Sequence, residues 1–390
     1  MKIAKLADLC DIGSGGTPRR GRSEYYGGAI PWAKIGDLNT SDGIVTSTEE
    51  TLTEVGLSAI RKRLFPPGTI LLAMYGSVGK TAVAGVPLSA NQAILGIQVK
   101  DAAPLRSDYL KRWLDHIRPR LASQARGVTQ QNISATIVRD LRVPLPAPAE
   151  QERIAAMLDR ADGIRRKRQE SLRLLDEFLR SAFLEMFGDP VRNEKGWEEV
   201  TIADIATVQL GKMLSDKARG GSDPVPYLRN ANVQWRRFDL RSLLKMDYTS
   251  DELTKFDLRP GDLMICEGGE VGRCAIWEGQ LARCSFQKAL HRVRPIGKRL
   301  RVEYLQECLF ALAQRGALSQ STSQATIAHL TKERLEGLTV PLPDARSQQV
   351  FARFYQRWAE ARKRVDARFV AVDQLCEALA ARAFLVPGRC

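Results

Sequence analysis

The chain reads as an α+β protein built twice: two duplicated α/β domains joined by two long antiparallel helices that form a coiled coil about a pseudo-two-fold axis. Three observations lead there. Short motifs recur in the same order about 195 residues apart, each globular stretch mixes brief β-rich runs with turn signals, and each is followed by a long run with helical apolar spacing.

The repeat comes first because it sets everything after it. Leu6-Ala7-Asp8-Leu9 returns as Ile202-Ala203-Asp204-Ile205, and Ile30-Pro31-Trp32 as Val225-Pro226-Tyr227. Pro67-Gly68 followed by Gly76-Ser77-Val78-Gly79-Lys80 returns as Pro260-Gly261 followed by Gly269-Glu270-Val271-Gly272-Arg273. Val143-Pro144-Leu145-Pro146 returns as Val340-Pro341-Leu342-Pro343, so the offsets are 196, 195, 193 and 197. Four matches in register mark an internal duplication. Its unit is too long for a solenoid repeat.

Within each copy, Thr69–Met74 and Leu263–Cys266 are apolar runs between a Pro-Gly turn and a Gly-rich turn, which predicts strands in an α/β or mostly β domain. After Val143–Pro146 the pattern changes. Pro148 suits a first helical position, Glu150 and Glu152 suit the first turn, and no proline follows until Pro190. Ile154, Leu158, Ala161, Leu172, Leu175, Leu179, Ala182 and Met186 keep three-four spacing, and Gly188 suits a left-handed cap. The second copy offers Phe351, Phe354, Trp358, Ala361, Val365, Val372, Leu375 and Leu379, ending at Pro387-Gly388. Each helix is about 55 Å long at 1.5 Å per residue. Such a stripe needs a partner: either the other helix, as in a coiled coil, or the helix's own globular domain. The segments are then 1–147 and 189–343 for the domains, and 148–188 and 344–390 for the helices.

Composition narrows the function. The 390 residues carry 59 Lys+Arg against 45 Asp+Glu, a net +14 that points to polyanions. The excess is not spread evenly: residues 1–149 hold 19 basic and 12 acidic side chains, 150–187 eight of each, 188–343 23 and 20, and 344–390 nine and five. Polyanion binding is therefore expected in the globular domains. The basic clusters Arg165–Arg168 and Arg362–Arg364 read either as a phosphate-facing seam or as solvated helix surface. No apolar run reaches the roughly 20 residues of a membrane span, and Asp8 and Asp11 interrupt the N-terminus where a signal peptide would stay apolar, so a soluble cytoplasmic chain is expected. Seven scattered Cys and three His give neither a disulfide framework nor a metal site, and Cys266, Cys274 and Cys284 read as buried or edge thiols.

The candidate DNA-binding residues lie where charge, amides and aromatics interleave. In the first copy they are Thr17, Arg19, Arg20 and Arg22 of the glycine-rich stretch, then Trp32, Lys34, Tyr75, Ser77, Lys80, Asn91, Gln92, Gln130, Gln131 and Asn132. In the second they are Tyr227, Arg229, Asn230, Asn232, Glu270, Arg273, Gln287, Lys288, Gln320 and Gln324. Basic loops follow a phosphate backbone, while Asn, Gln and Arg present paired groups to base edges. The sequence Gly76–Thr81 mimics the end of a nucleotide-binding loop, yet that motif needs glycine where Met74 stands. No nuclease carboxylate set, hydrolase triad or dinucleotide fingerprint is present, and the chain reads as non-catalytic.

The order of globular domain, Val-Pro-Leu-Pro exit, Glu150-Gln151, long helix and the ending Phe187-Gly188-Asp189, followed by a second copy, resembles the DNA specificity subunit of type I restriction-modification systems. The second copy departs from this pattern with Ser347-Gln348 and Phe384–Pro387. The resemblance implies two target recognition domains that each read one half of a split duplex-DNA sequence, with helices that set the spacer. It implies partners as well: methyltransferase subunits, two copies, bringing S-adenosylmethionine, and ATP-dependent restriction subunits bringing ATP and Mg2+, so that this chain itself holds no cofactor. The rival classes are a coiled-coil scaffold for acidic proteins and a nucleotide-using enzyme.

Overall fold

A computed structural model describes residues 2–40, 42–124, 132–213, 223–318 and 329–384. Its contacts form two compact units, one of residues 1–168 with 368–390, the other of residues 169–367. Each unit thus holds one globular domain and a part of each long helix.

In the first unit the domain opens and closes on the same ribbon, strand Lys2–Lys5 pairing antiparallel with Arg142–Leu145, so the Val-Pro-Leu motif is the exit strand. A five-stranded sheet follows in the order Cys10–Ser14, Ile94–Val99, Ile70–Ala73, Thr81–Ala84 and Ile44–Val45. A second sheet sets Tyr26–Ala33 between Glu50–Leu52 and Ser89–Ala90. Ile70–Ala73 is buried along its whole length, which explains its unbroken apolar run.

The second unit repeats this plan. Glu198–Thr201 pairs with Thr339–Leu342, and the larger sheet runs Ala206–Leu210, Leu290–Pro295, Leu263–Cys266 and Cys274–Ile276. Val225–Leu228 lies between Leu244–Met246 and Ser285–Phe286. Among the described residues, a hairpin of Val233–Gln234 with Arg237–Phe238 occurs only in this unit.

The long helices are Pro148–Phe187 and Ala345–Phe384. Gly188, at φ +79°, ends the first in the left-handed conformation, and the Asp344 carboxylate accepts the Ser347 N–H at 2.9 Å to start the second. The Pro387-Gly388 stop lies outside the described residues.

The two destinations weighed for the apolar stripes are both used. In the first unit Ile154, Leu158 and Phe384 share one core with Tyr109, Leu114 and Ile70; in the second Leu179, Phe351 and Trp358 share one with Leu263, Tyr304 and Leu305. Helix meets helix in antiparallel fashion within the second unit, where Trp358 donates its indole N–H to the Leu175 carbonyl at 2.9 Å and Phe354 lies 5.2 Å from Phe178. Leu172, Leu175, Phe354, Val365 and Leu379 are half-buried, and the side chain of Val372 lies outside the described set. Leu375 corrects the seam reading: it is 55 % exposed, because burial concentrates at helix ends, where a domain closes over the stripe.

One joint occurs in both units. Gln151, fully buried, accepts the Arg106 N–H at 2.9 Å and donates to the carbonyls of Pro104 and Pro146 at 2.9 and 3.0 Å. Gln348 makes the same three bonds, with Arg301, Arg299 and Pro343, at 2.9, 2.9 and 2.7 Å. Tyr109 and Tyr304 donate their hydroxyls to Pro144 and Pro341 beside them. The amide is the one side chain that satisfies an N–H and two carbonyls at once in a dry junction.

Candidate DNA interface

In the first domain the glycine-rich loop is held against the strand-end turn at Ala90–Gln92. Gly15 donates to the Ile94 carbonyl at 2.9 Å and Gly16 to Ala90 at 2.8 Å, and a Cβ on Gly15 would fall 2.1 Å from the Ala90 oxygen. Only glycine fits there. Thr17 bonds Gln92 across this contact, and the Arg63 guanidinium donates to Ser14 and to the Gly15 carbonyl at 3.1 Å. Arg63, missed in the sequence, is the clamp of this loop.

Charge on this face is largely compensated. Arg20 spreads over the Tyr26 and Trp32 rings at 5.1 and 5.0 Å and pairs with Glu50 at 2.5 Å. Lys34 bridges Glu49 and Glu50 at 2.6 and 2.9 Å, and these hydrogen bonds raise its pKa while Lys34 and Arg20 together lower that of Glu50. Arg19 and Arg22 are exposed, the latter 3.1 Å from Glu24. At the Gly76–Lys80 turn Tyr75 bridges to Asn132, Ser77 accepts the Lys80 N–H at 3.0 Å, and Lys80 reaches Asn39. Burial, with Arg118 nearby, pushes the Lys80 ammonium down. Asn91 accepts the Ala93 N–H at 3.1 Å.

The second domain repeats the loop contact at one constant offset. Gly211 donates to Leu290 at 3.1 Å and Lys212 to Phe286 at 3.0 Å, both donors and acceptors lying 196 residues beyond those of the first copy. Lys212 takes the place of Gly16, and its ammonium bonds the Asp247 carbonyl and Glu252 at 2.7 and 2.6 Å. Next to it Gln287 donates its N–H to Leu228 at 3.0 Å, and Lys288 is exposed. Arg229 donates to the Ser242 carbonyl at 2.9 Å. Asn230 donates to Gly268 at 2.8 Å while its own carbonyl accepts Arg273 at 3.0 Å, tying the Gly268–Arg273 turn to the neighbouring strand end. Glu270, at the tip, accepts from Arg273 at 3.3 Å and from the Trp235 indole.

Three candidates are corrected. Trp32 is fully buried and donates its indole N–H to the Gly16 carbonyl at 3.0 Å, Tyr227 is 2 % exposed, and Asn232 is 1 % exposed. Trp32 packs with Leu52, Leu57 and Ile60, and Tyr227 with Met246, in small cores beside their strands. Asn232 caps a turn instead, accepting the Arg229 N–H at 2.9 Å as Asp37 accepts that of Lys34 at 2.7 Å. Gln130, Gln131, Gln320 and Gln324 lie outside the described residues. Cys266, Cys274 and Cys284 are buried thiols; burial pushes Cys266 up to about 11 and Cys284 to about 12. Among the described residues no group of three His, Cys, Asp or Glu could hold a metal ion, and no helix is long and apolar enough to cross a membrane.

Two copies of one mixed domain, each jointed through a buried glutamine to a long helix and each carrying a glycine-held polar loop, define a duplicated two-domain architecture. The chain belongs to the family of the type I restriction modification DNA specificity domain, whose model matches residues 1–174 and again 194–360. It is 29 % identical over 225 residues to the type I restriction enzyme MjaIX specificity subunit of Methanocaldococcus jannaschii, covering 54 % of this chain and 52 % of that one. It is 22 % identical over 352 residues to the EcoBI specificity subunit of Escherichia coli, covering 82 % and 73 %. The chain thus spans about half of the first relative's length. In fold it resembles the type I restriction-modification S subunit of M. genitalium, with a TM-score of 0.59, 14 % identity and 99 % and 96 % of the two chains covered.

Proposed function

We propose that this chain is the sequence-reading subunit of a type I restriction-modification enzyme, each globular domain reading one half of a bipartite duplex-DNA target. The observation that carries this is the family match in both halves, with the glycine-loop contact repeated at a constant offset of 196. Two like readers on helices select two half-sites separated by an uncontacted stretch, with the helices as the ruler.

The exposed cations Arg19, Arg22 and Lys288 supply phosphate contacts, and Asn91, Gln92 and Gln287 supply base-edge groups on the two domains, with Asn230 and Arg273 holding the turn beside them. Two modification subunits dock on the helices and bring S-adenosylmethionine; restriction subunits bring ATP and Mg2+, and this chain contributes no catalytic group. In the second unit Leu174 and Phe178 on one helix and Val350 on the other are 51, 60 and 51 % exposed beside Phe354, an apolar ladder suited to a partner helix. The complex works in the cytoplasm, where the DNA is.

Replacing residues 1–147 with the first domain of another family member tests the reading. Mapping of methylated sites is expected to show one half of the motif changed and the other intact; loss of both halves would contradict independent readers.

A further inference from the structure

The tip of the Gly268–Arg273 turn carries a carboxylate where a phosphate-binding surface would carry none. Glu270 is 52 % exposed, yet both its oxygens are held: one by the Trp235 indole N–H, the other by Arg273 at 3.3 Å. The holders are themselves fixed. Trp235 stands edge-on to Phe310 at 5.0 Å, and Arg273, 16 % exposed, is tied to the Asn230 carbonyl. The turn is equally constrained, since Gly269 and Gly272 have φ +75° and +79° and a Cβ on Gly272 would fall 2.3 Å from Leu318.

We propose that Glu270 is a specificity-determining residue that accepts a hydrogen bond from the N4 amino group of a cytosine in the second half-site, with Trp235 as its positioning residue. This rests on the reading that the second domain faces DNA. A carboxylate is acceptor-only and is repelled by backbone phosphates, so on such a face it serves a base edge. Guanine and the thymine ring present acceptors in the major groove, and adenine sets its amino group beside the N7 acceptor; cytosine alone offers a donor without one. Each Glu270 oxygen keeps a lone pair after its internal bond. The first domain carries Ser77 at the matching place, a hydroxyl that both donates and accepts and so imposes no such choice.

The test uses the full chain co-expressed with its modification subunits, with methylated sites mapped for the wild type, Glu270→Gln and Trp235→Phe. Glu270→Gln is expected to lower discrimination at a single cytosine position about tenfold, or to shift it to adenine, which Gln pairs well. Trp235→Phe keeps the ring and loses the N–H; it is expected to relax the same position more weakly, with the first half-site unchanged. A motif unaltered in both variants, or one loosened equally at every position, overturns the proposal. If Glu270→Gln yields no assembled complex, Trp235→Phe decides alone. A wild type that methylates without sequence preference would instead sink the DNA-reading function itself.

Discussion

The two units fasten their domains to the helices through the same neutral joint and through ion links that differ in where the domain's arginine sits and how deeply it is buried. In the first, Arg112 of helix Ser107–Ser123 meets Asp159 and Asp162 of the first long helix at 2.5 and 3.3 Å. In the second, the matching helix Val302–Gln314 carries Glu307, which is 1 % exposed and paired at 2.7 Å with Arg236 from the extra hairpin. Arg236 also lies 4.0 Å from Asp176 on the first long helix, and its guanidinium packs 4.1 Å from the Phe310 ring. Its backbone is at φ +64°, a conformation that costs an ordinary residue energy, so the contact is over-determined by its surroundings. Backbone plan and glutamine joint are retained between copies, while the arginine that meets the first long helix moves from the domain helix to the hairpin and is held there by Glu307. Charged links can be exchanged because each only has to be compensated, whereas a dry junction of backbone groups admits one amide geometry.

The largest expected effect follows from that difference. Arg236→Met leaves Glu307 buried and unpaired and is expected to destabilise the second unit by about 3–5 kcal/mol. Denaturant unfolding, with hydrogen exchange to assign the loss to residues 169–367, would check it; a loss spread evenly over both units would break the contrast. Next come the glutamines. Gln151→Ala and Gln348→Ala each orphan an N–H and two carbonyls, and each is expected to cost about 1–3 kcal/mol, alike in the two units. Unequal costs would show that the joint is not equivalent. The smallest effect belongs to Arg112→Met, about 1 kcal/mol or less, because Asp159 and Asp162 are 54 and 34 % exposed and water takes over their solvation. A cost as large as that of Arg236→Met would mean that exposure does not separate the two links.

Much of the architecture was legible because it rests on short-range rules: proline at the first turn, glycine at a left-handed end, and apolar spacing that switches from strand to helix at Pro146. The Glu-Gln signature illustrates the limit. Among the described residues Glu150 pairs with its neighbour Arg153 at 2.7 Å, while the joint uses Gln151, so Ser347 in place of glutamate leaves the second joint intact. Among the candidates, Trp32, Tyr227 and Asn232 look like interface residues by type; the two aromatics pack into small cores beside their strands and Asn232 is spent on a turn cap, which no spacing discloses. Conversely Arg63, Lys212, Trp235 and Arg236 carry the loop clamp and the ion link, and only the aromatic-basic run Trp235-Arg236-Arg237 signals any of them.

By itself the sequence determined the duplication, the positions of the two long helices and the location of charge on the globular domains, since these follow from repetition and periodicity along one chain. Only the tertiary structure decided which polar groups stay exposed, that each unit takes part of both helices, and that the second copy fastens its domain through Arg236. Those depend on which side chains meet across more than a hundred residues of sequence, where burial rather than residue type assigns the role.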